Sequence, residues 1–198
     1  MIKNLVFDCG GVLVDFDPQK MIKTIGVPQK DTQWFYEAFF GNWAEMDAGT
    51  INESDYFEKV YNLLPARLHP YAEKLIATRD ELSVFYPKVP KVLNEYKLIG
   101  YDLFILSNAP VSFGKHIRSL PEMKYFKDAI FSADIKMVKP NKDIFEYAIK
   151  TFKINPAESL FIDDRSDNVK MALSCGFKGL VFKGDYQTIT DYLKNNHE

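Results

Sequence analysis

The chain has 198 residues, of which 46% are hydrophobic and 26% are charged, and its formal net charge at pH 7 is −2. This composition is that of an ordinary soluble globular chain with enough residues for one substantial core. It argues against two classes of partner, because there is no basic stripe for nucleic acid and no apolar run near the roughly 20 residues that cross a bilayer. The N-terminus has no signal-peptide pattern and there are only two cysteines, so we expect a cytoplasmic protein.

The first predicted strand ends at an acidic residue. Residues 5–7 form an apolar run, Asp8 follows this run, and Gly10 and Gly11 permit a tight turn. Ligands of open α/β sheets bind beyond the carboxyl ends of the strands, so Asp8 stands where a chemical group is expected. The alternative interpretation is a turn acid that follows an edge strand.

The sequence between residues 15 and 85 has the spacing of amphipathic helices and no apolar run of strand quality. Aromatic residues are dense at six positions in this segment, namely Trp34, Phe35, Tyr36, Phe39, Phe40 and Trp43. They predict either the core of the helical segment or a wall that faces a substrate, and the core is favoured because aromatic stripes mostly bury themselves. We therefore predict a helical insertion over residues 15–85.

From residue 86 onward, apolar runs alternate with helical patterns. The runs cover residues 103–106, 129–131, 159–162 and 179–182. Such alternation predicts right-handed βαβ units, and hence an α/β fold with a parallel sheet and helices on both faces. Residues 1–14 and 86–198 would form this sheet domain, with a closing helix near residues 188–196.

Polar residues follow the second apolar run and precede a later helix. Ser107 and Asn108 end that run, where they would either cap the following helix or bind a phosphate group. Lys139 precedes Pro140, which holds the lysine in an extended segment before a helix that begins near Asn141. A lysine is usually a solvated surface charge, but this position allows its side chain to point into a neighbouring cleft.

The run at residues 159–162 ends in two adjacent acids, Asp163 and Asp164, which Arg165 follows. Adjacent negative charges repel each other unless a cation lies beside them. Arg165 is one candidate for that cation. A bound Mg²⁺ is the better candidate, because this ion prefers hard oxygen ligands that are completed by water and substrate phosphate.

Taken in chain order, these segments resemble the motifs of the haloacid dehalogenase superfamily. The phrases that carry the resemblance are Phe7-Asp8-Cys9-Gly10-Gly11-Val12, Leu106-Ser107-Asn108, Lys139-Pro140 and Asp163-Asp164-Arg165-Ser166-Asp167-Asn168. The chain is most similar to the subgroup with a small helical cap that includes sugar-phosphate phosphatases, notably α-D-glucose-1-phosphate phosphatase. The resemblance implies a Rossmann-like core, with the insertion over residues 15–85 as a cap that folds over the site and selects the substrate.

The resemblance also implies roles for individual residues. Asp8 would be the nucleophile that forms an aspartyl-phosphate, which water then hydrolyses. Ser107 and Asn108 would bind the transferring phosphoryl group, while Lys139 would neutralise phosphate charge and keep Asp8 ionised. The implied activity is that of a Mg²⁺-dependent phosphatase that acts on a small phosphorylated metabolite.

A Mg²⁺ site beside the nucleophile follows from the same resemblance. The residues implied to bind the ion are Asp8, Gly10 through its backbone carbonyl, Asp163 directly or through a water, and Asp164. Asp167 or Asn168 would order the outer shell of the metal.

One position departs from the family pattern. The family's phosphatases usually carry a second aspartate, a general acid and base, where this chain has Gly10. Proton transfer of this kind contributes about 10² to 10⁴ in rate, so the enzyme would be slow or would favour esters whose leaving group needs little protonation. Asp15 and Asp17 lie just downstream, but their distance from Asp8 makes either a weak substitute. With Trp43 and Asp47, they are candidate substrate selectors by position alone.

Two alternatives to a phosphatase therefore stay open. The dehalogenases that name the superfamily also lack the second acid and need no metal, and a non-catalytic binding protein on a decayed phosphatase fold would tolerate a glycine at position 10. The pair Asp163 and Asp164 favours the phosphatase, because two adjacent acids are useful to an enzyme that binds Mg²⁺ and costly to one that does not.

Overall fold

The computed structural model describes residues 1–196 and contains one five-stranded sheet. The strands are β1 (Asn4–Phe7), β2 (Asp102–Ser107), β3 (Asp128–Phe131), β4 (Ser159–Asp163) and β5 (Lys178–Val181). Their spatial order is β3-β2-β1-β4-β5, and every neighbouring pair is parallel. Each strand coincides with one of the five apolar runs of the sequence. The predicted α/β fold with a parallel sheet is therefore confirmed.

Eleven α-helices occur between residues 1 and 196. They are α1 (Pro18–Ile25), α2 (Thr32–Phe40), α3 (Trp43–Asp47), α4 (Glu53–Leu63), α5 (His69–Thr78), α6 (Val89–Ile99), α7 (Val111–Ser119), α8 (Ser132–Ile135), α9 (Lys142–Phe152), α10 (Ser166–Ser174) and α11 (Gln187–Asn195). The closing helix predicted near residues 188–196 is α11. None of the described helices has the length and hydropathy needed to cross a membrane.

Helices cover both faces of the sheet because successive residues of a strand point in opposite directions. Leu5 and Phe7 of β1 belong to an apolar cluster that contains Leu93 of α6. Val6, between them, belongs to a second cluster that contains Phe145 of α9. The three central strands β1, β2 and β4 are thus buried on both sides, as the middle of a parallel sheet requires, whereas the edge strand β5 is only partly buried.

The helices α1 to α5 lie between β1 and β2 in the chain and share an apolar core of their own. Phe35, Phe39 and Phe40 are buried in that core, which confirms the core interpretation for these three aromatic residues. Trp34 is 49% exposed. We infer that residues 15–85 form a cap and that residues 1–14 and 86–198 form the core domain, of which residues 197 and 198 lie outside the described part.

The two chain segments that join the helical insertion to the sheet run side by side. Val14 forms an antiparallel bridge with Phe85. The backbone N–H of Tyr86 donates to the carbonyl of Leu13 at 2.9 Å. Phe16, at the start of the insertion, packs against both the core cluster and the cap cluster. The start of the insertion lies next to the turn that follows Asp8, since a Cβ added at Gly10 would lie 3.7 Å from the Cβ of Phe16.

Candidate active site

Asp8 follows the central strand of the sheet. Strand β1 has β2 on one side and β4 on the other, and the N–H of Asp8 donates to the carbonyl of Ile162 at 2.8 Å. The side chain is 11% exposed and lines a cavity beyond the carboxyl ends of the strands. The interpretation of Asp8 as a turn acid after an edge strand is therefore wrong, because β1 is not an edge strand.

The two glycines after Asp8, Gly10 and Gly11, differ in backbone conformation and in the space available for a side chain. Gly11 has a φ of +73°, and an added Cβ would lie 2.8 Å from a carboxylate oxygen of Asp164. A side chain there would displace the acid. Gly10 does not have a positive φ, and an added Cβ would meet only the Cβ of Phe16 at 3.7 Å. The position that usually carries the second aspartate thus has room for a side chain in this chain.

Lys139 is buried at the centre of the charged groups, with 4% of its surface exposed. Its Nζ donates to Asp8 Oδ1 at 2.8 Å, to Asp163 Oδ2 at 2.7 Å and to the carbonyl of Leu106 at 2.8 Å. Burial opposes the lysine charge, but the carboxylates of Asp8 and Asp163 outweigh it and raise the pKa of Lys139. The structure excludes the interpretation of Lys139 as a solvated surface charge.

Asn108 fixes the backbone of that lysine. Its Nδ2 donates to the carbonyl of Lys139, and its Oδ1 accepts from the N–H of Lys139, both at 2.8 Å. The side chain of Asn108 is therefore engaged, while Ser107 and Asn108 both line the cavity. Neither residue caps the following helix, because the residue that flanks α7 on its N-terminal side is Pro110.

Asp163 is fully buried, and neighbouring donors hold its carboxylate in place. Its Oδ1 accepts from the N–H of Arg165 at 2.9 Å, and Asn168 Nδ2 lies 3.0 Å from both carboxylate oxygens. Within residues 1–196, the buried Oδ1 of Asn168 has no hydrogen-bond partner. An orphaned buried oxygen is unusual in a folded protein and is consistent with a water or ion nearby.

The sequence allows Arg165 as the cation beside Asp163 and Asp164, but in the structure its side chain pairs with another acid. Its guanidinium forms an ion pair with Asp167 at 2.8 Å, and both side chains are exposed. The cation that contacts Asp163 is instead Lys139. Asp167 faces its arginine at the surface, whereas Asn168 contacts Asp163. Of the two residues predicted for the outer shell of a metal, the structure brings only Asn168 to the charged cluster.

Three carboxylates converge at this edge of the sheet. Asp8, Asp163 and Asp164 each offer an oxygen, and these oxygens lie within 4.8 Å of one another. Burial raises the pKa of Asp8 to about 6, with Lys139 lowering it and Asp163 raising it. Partial burial and the charge of Asp163 also raise the pKa of Asp164. One ammonium group thus faces three acids, and this hard-oxygen set fits a divalent cation such as Mg²⁺.

The cavity above these carboxylates has a volume of about 250 Å³. Its charged side is formed by Asp8, Lys139 and Asp164, and the polar residues Ser107 and Asn108 lie on the same side. Three aromatic rings contribute an apolar wall, namely Phe16, Trp43 and Phe113. Phe16 and Phe113 were not predicted as site residues. The signal for Phe113 is its position in the first turn of the helix after β2, because that turn begins at the sheet edge where the site lies.

The comparisons with known proteins agree on the family. A model of haloacid dehalogenase-like hydrolases matches residues 2–176. The chain is 28% identical to the D-ribitol-5-phosphate phosphatase of Bacteroides thetaiotaomicron over 189 residues, which is 90% of this chain and 90% of the relative. It is 26% identical to a sesquiterpene phosphatase of Aspergillus oryzae over 182 residues, which is 90% of this chain and 88% of the relative.

The solved structures agree with the sequence comparisons. The fold is similar to that of a haloacid dehalogenase family enzyme from Bacteroides thetaiotaomicron in a magnesium complex. The TM-score is 0.74 at 25% identity, and the match covers 96% of this chain and 98% of the other. Because the family model covers most of the sequence, this chain belongs to the haloacid dehalogenase-like hydrolases.

Proposed function

We propose that the chain is a Mg²⁺-dependent phosphatase that hydrolyses a small phosphomonoester through an aspartyl-phosphate on Asp8. The observation that carries this proposal is the cluster of three carboxylates around Lys139 at the base of the cavity. The two curated relatives described above are both named phosphatases. A similar solved structure at 25% identity is a magnesium complex.

In this proposal the chemistry belongs to groups at the strand ends. A carboxylate oxygen of Asp8 attacks phosphorus, which splits one difficult hydrolysis into two easier steps. Lys139 keeps Asp8 ionised and opposes the charge of the phosphoryl oxygens. The hydroxyl of Ser107 and the backbone N–H of Asn108 orient the phosphoryl group, because the side chain of Asn108 is already bound to Lys139.

The metal site would be built from the same turn and the end of β4. Asp8, the backbone carbonyl of Gly10 and Asp164 would bind Mg²⁺, and Asp163 and Asn168 would fix the geometry around them. When bound, the ion supplies positive charge that stabilises the phosphoryl oxygens in the transition state. Asp167 would act only at a distance, since it pairs with Arg165.

The carboxylate cluster favours the phosphatase over the alternatives. A metal-independent dehalogenase uses the first aspartate alone and gains nothing from Asp164 beside the buried Asp163. A non-catalytic binding protein has no reason to keep the nucleophile hydrogen-bonded to a buried lysine. The adjacent acids and the contact of Asp8 with Lys139 both cost free energy, because buried charges must be compensated. A phosphatase is the function that uses both arrangements.

The substrate class is a small phosphorylated metabolite, such as a sugar phosphate. A cavity of about 250 Å³ with one charged side and one aromatic side suits a compact organic phosphate. The phosphatase relatives act, by name, on D-ribitol 5-phosphate and on a sesquiterpene. Membership of the α-D-glucose-1-phosphate phosphatase subgroup stays a prediction, as does the absence of nucleic-acid and membrane partners.

The test is phosphate release from a panel of esters that includes sugar phosphates, α-D-glucose 1-phosphate and an aryl phosphate. We expect release in Mg²⁺ and loss of release with a chelator, and we expect Asp8→Asn to be inactive on every ester. Release that persists in chelator would overturn the metal requirement. No release from any ester, with chloride release from a 2-chloroacid, would replace the phosphatase with the dehalogenase.

A further inference from the structure

We propose that Asp47, which ends helix α3 in the helical insertion, is the general acid and base that Gly10 cannot supply. This inference rests on the proposed phosphatase function and concerns the proton transfers of that reaction. Hydrolysis of an alkyl phosphate needs a proton donor for the leaving oxygen and a base for the attacking water. A glycine provides neither group.

Asp47 lies in the wall of the active-site cavity. The acids that line this cavity, within residues 1–196, are Asp8, Asp47 and Asp164. Asp8 and Asp164 belong to the carboxylate cluster, so Asp47 is the acid available for another task. Its Oδ1 is buried and has no hydrogen-bond partner among the described residues. Asp47 thus lines the cavity with a carboxyl group that has one oxygen without a partner, and such a group is suited to bind a group of the substrate.

The environment of Asp47 suits proton transfer in both directions. Burial, and then the negative charge of Asp8, raise the pKa of Asp47 to about 7. Lys139 and the indole of Trp43 act in the opposite direction. An acid with a pKa near the working pH can give a proton in one step and take one in the next. Asp8 and Asp47 both line the same cavity.

Contacts with the sheet domain hold Asp47 in place. The hydroxyl of Ser132, at the start of α8, donates to the carbonyl of Asp47 and accepts from the N–H of Ala109. Two residues further on, Gly49 has a φ of +64°, and an added Cβ would lie 2.6 Å from the carbonyl oxygen of Ala133. The segment after α3 therefore lies directly against the sheet domain, beside the end of β2.

The acids closer to Asp8 in sequence are engaged elsewhere. Asp15 forms an ion pair with the exposed Lys20. Asp17 caps helix α1 and accepts from the N–H groups of Gln19 and Lys20 at 3.0 and 3.1 Å. Neither acid lines the cavity. The structure thus favours an acid from the insertion over one from the segment that follows the nucleophile.

Asp47 transfers one proton in each of the two steps of the proposed reaction. The bond from Asp8 to phosphorus forms as the ester P–O bond breaks, and the Asp47 carboxylic acid gives its proton to the leaving oxygen, which departs as an alcohol. The Asp47 carboxylate then takes a proton from water as the water oxygen attacks phosphorus. The bond from Asp8 to phosphorus breaks in that second step and releases inorganic phosphate.

The test compares Asp47→Asn with the wild type on an alkyl phosphate and on p-nitrophenyl phosphate. On the alkyl ester we expect kcat to fall by about 10² to 10⁴. On the aryl ester, whose leaving group needs little protonation, we expect a burst of about one nitrophenolate per enzyme followed by slow turnover, because the activation of water is lost. A burst and a dependence on the leaving group would not follow from a structural role.

Two further variants complete the test. Glu45→Gln changes an acid of the same helix that pairs with Lys59 at 3.1 Å, outside the cavity, and should leave both rates unchanged. Adding Gly10→Asp to Asp47→Asn should restore turnover of the alkyl ester at least tenfold, because position 10 has room for a side chain. Such rescue would show that Asp47→Asn folds and lacks only the proton transfer.

Three outcomes would overturn the inference. The first is wild-type turnover of the alkyl ester by Asp47→Asn. The second is an equal loss on both esters without a burst and without rescue by Gly10→Asp. The third, a wild-type protein that releases no phosphate from either ester, would overturn the proposed function as well. An active wild type with an unaffected Asp47→Asn variant would overturn this inference alone.

Discussion

A single buried ammonium group compensates the charges of the proposed site. Lys139 contacts Asp8 at 2.8 Å and Asp163 at 2.7 Å, and the exposed fractions of the three side chains are 1%, 11% and 0%. Removing one partner of a buried ion pair leaves the other charge uncompensated and strongly destabilises the fold. The same lysine therefore supports both the stability of the sheet edge and the ionised state of the proposed nucleophile.

We predict that Lys139→Met lowers the free energy of unfolding by about 3–5 kcal/mol and abolishes phosphate release. Urea denaturation measures the first effect. The matched control is Lys142→Met, which removes an exposed pair with Glu146 on α9 and should change the unfolding free energy by only about 0–1 kcal/mol. Equal losses in the two variants would contradict the account of Lys139.

The glycine pair after Asp8 offers a second matched comparison. We predict that Gly11→Ala impairs Mg²⁺ binding and destabilises the fold by about 1–2 kcal/mol, because φ is +73° and the new Cβ would lie 2.8 Å from Asp164. Gly10→Ala should keep its stability, since its Cβ meets only Phe16 at 3.7 Å. Thermal unfolding with and without Mg²⁺ measures both effects. A Gly11→Ala variant with the stability and the Mg²⁺ binding of the wild type would contradict the prediction.

At the scale of the elements, the site is made where parallel strands end at one edge of the sheet. The five apolar runs predicted the strands, because strands buried on both faces lack polar interruptions. Parallel ends lie together, so the convergence of Asp8, Ser107 and Asp163 followed from the sequence. The periodicity of the insertion likewise predicted helices there.

Other features depend on packing that no local pattern encodes. The contact of Lys139 with Asp8 joins residues 131 positions apart, and the contact of Ser132 with Asp47 joins residues 85 positions apart. The sequence allows either Arg165 or a metal ion as the cation beside the acid pair, and only the direction of the side chain shows that Arg165 pairs with Asp167. The place of Asp47 in the cavity wall depends on how α3 packs against α8.

Mg²⁺ bound at the ends of β1 and β4 should stabilise the fold. We expect Mg²⁺ at 100 times its dissociation constant to stabilise the protein by about 2.7 kcal/mol, because binding to the folded state shifts unfolding by mass action. Asp164→Ala should lose this effect, while Asp191→Ala, which removes an exposed acid on α11, should keep it. A shift in Tm that survives in Asp164→Ala would place the ion elsewhere.

The helical insertion and the sheet domain share the cavity. Trp43 comes from α3, Phe113 comes from α7, and Phe16 lies between them with ring centroids 6.0 and 6.1 Å away. The charged side comes from the sheet domain, apart from Asp47. We infer that the sheet domain supplies the phosphoryl chemistry, while the insertion shapes the space for the rest of the substrate.

We predict that Phe113→Ala raises KM for an aryl phosphate by about 10-fold or more, because the lost apolar contact is worth about 1–3 kcal/mol. Phe152→Ala is the control, since Phe152 is also 8% exposed but belongs to the cluster on the opposite face of the sheet. Both variants should lose stability through a cavity. In steady-state kinetics only Phe113→Ala should raise KM. An unchanged KM in Phe113→Ala would show that this ring does not contact the substrate.

The central claim is that Asp8 carries the phosphoryl group during turnover. The most direct measurement is to mix the protein with Mg²⁺ and an aryl phosphate, quench with acid within the first turnover, and map the modified peptide by mass spectrometry. We predict one phosphoryl group per chain, on Asp8, that is absent from Asp8→Asn. Phosphate release without a phosphorylated Asp8 peptide, together with turnover by Asp8→Asn, would contradict the covalent mechanism.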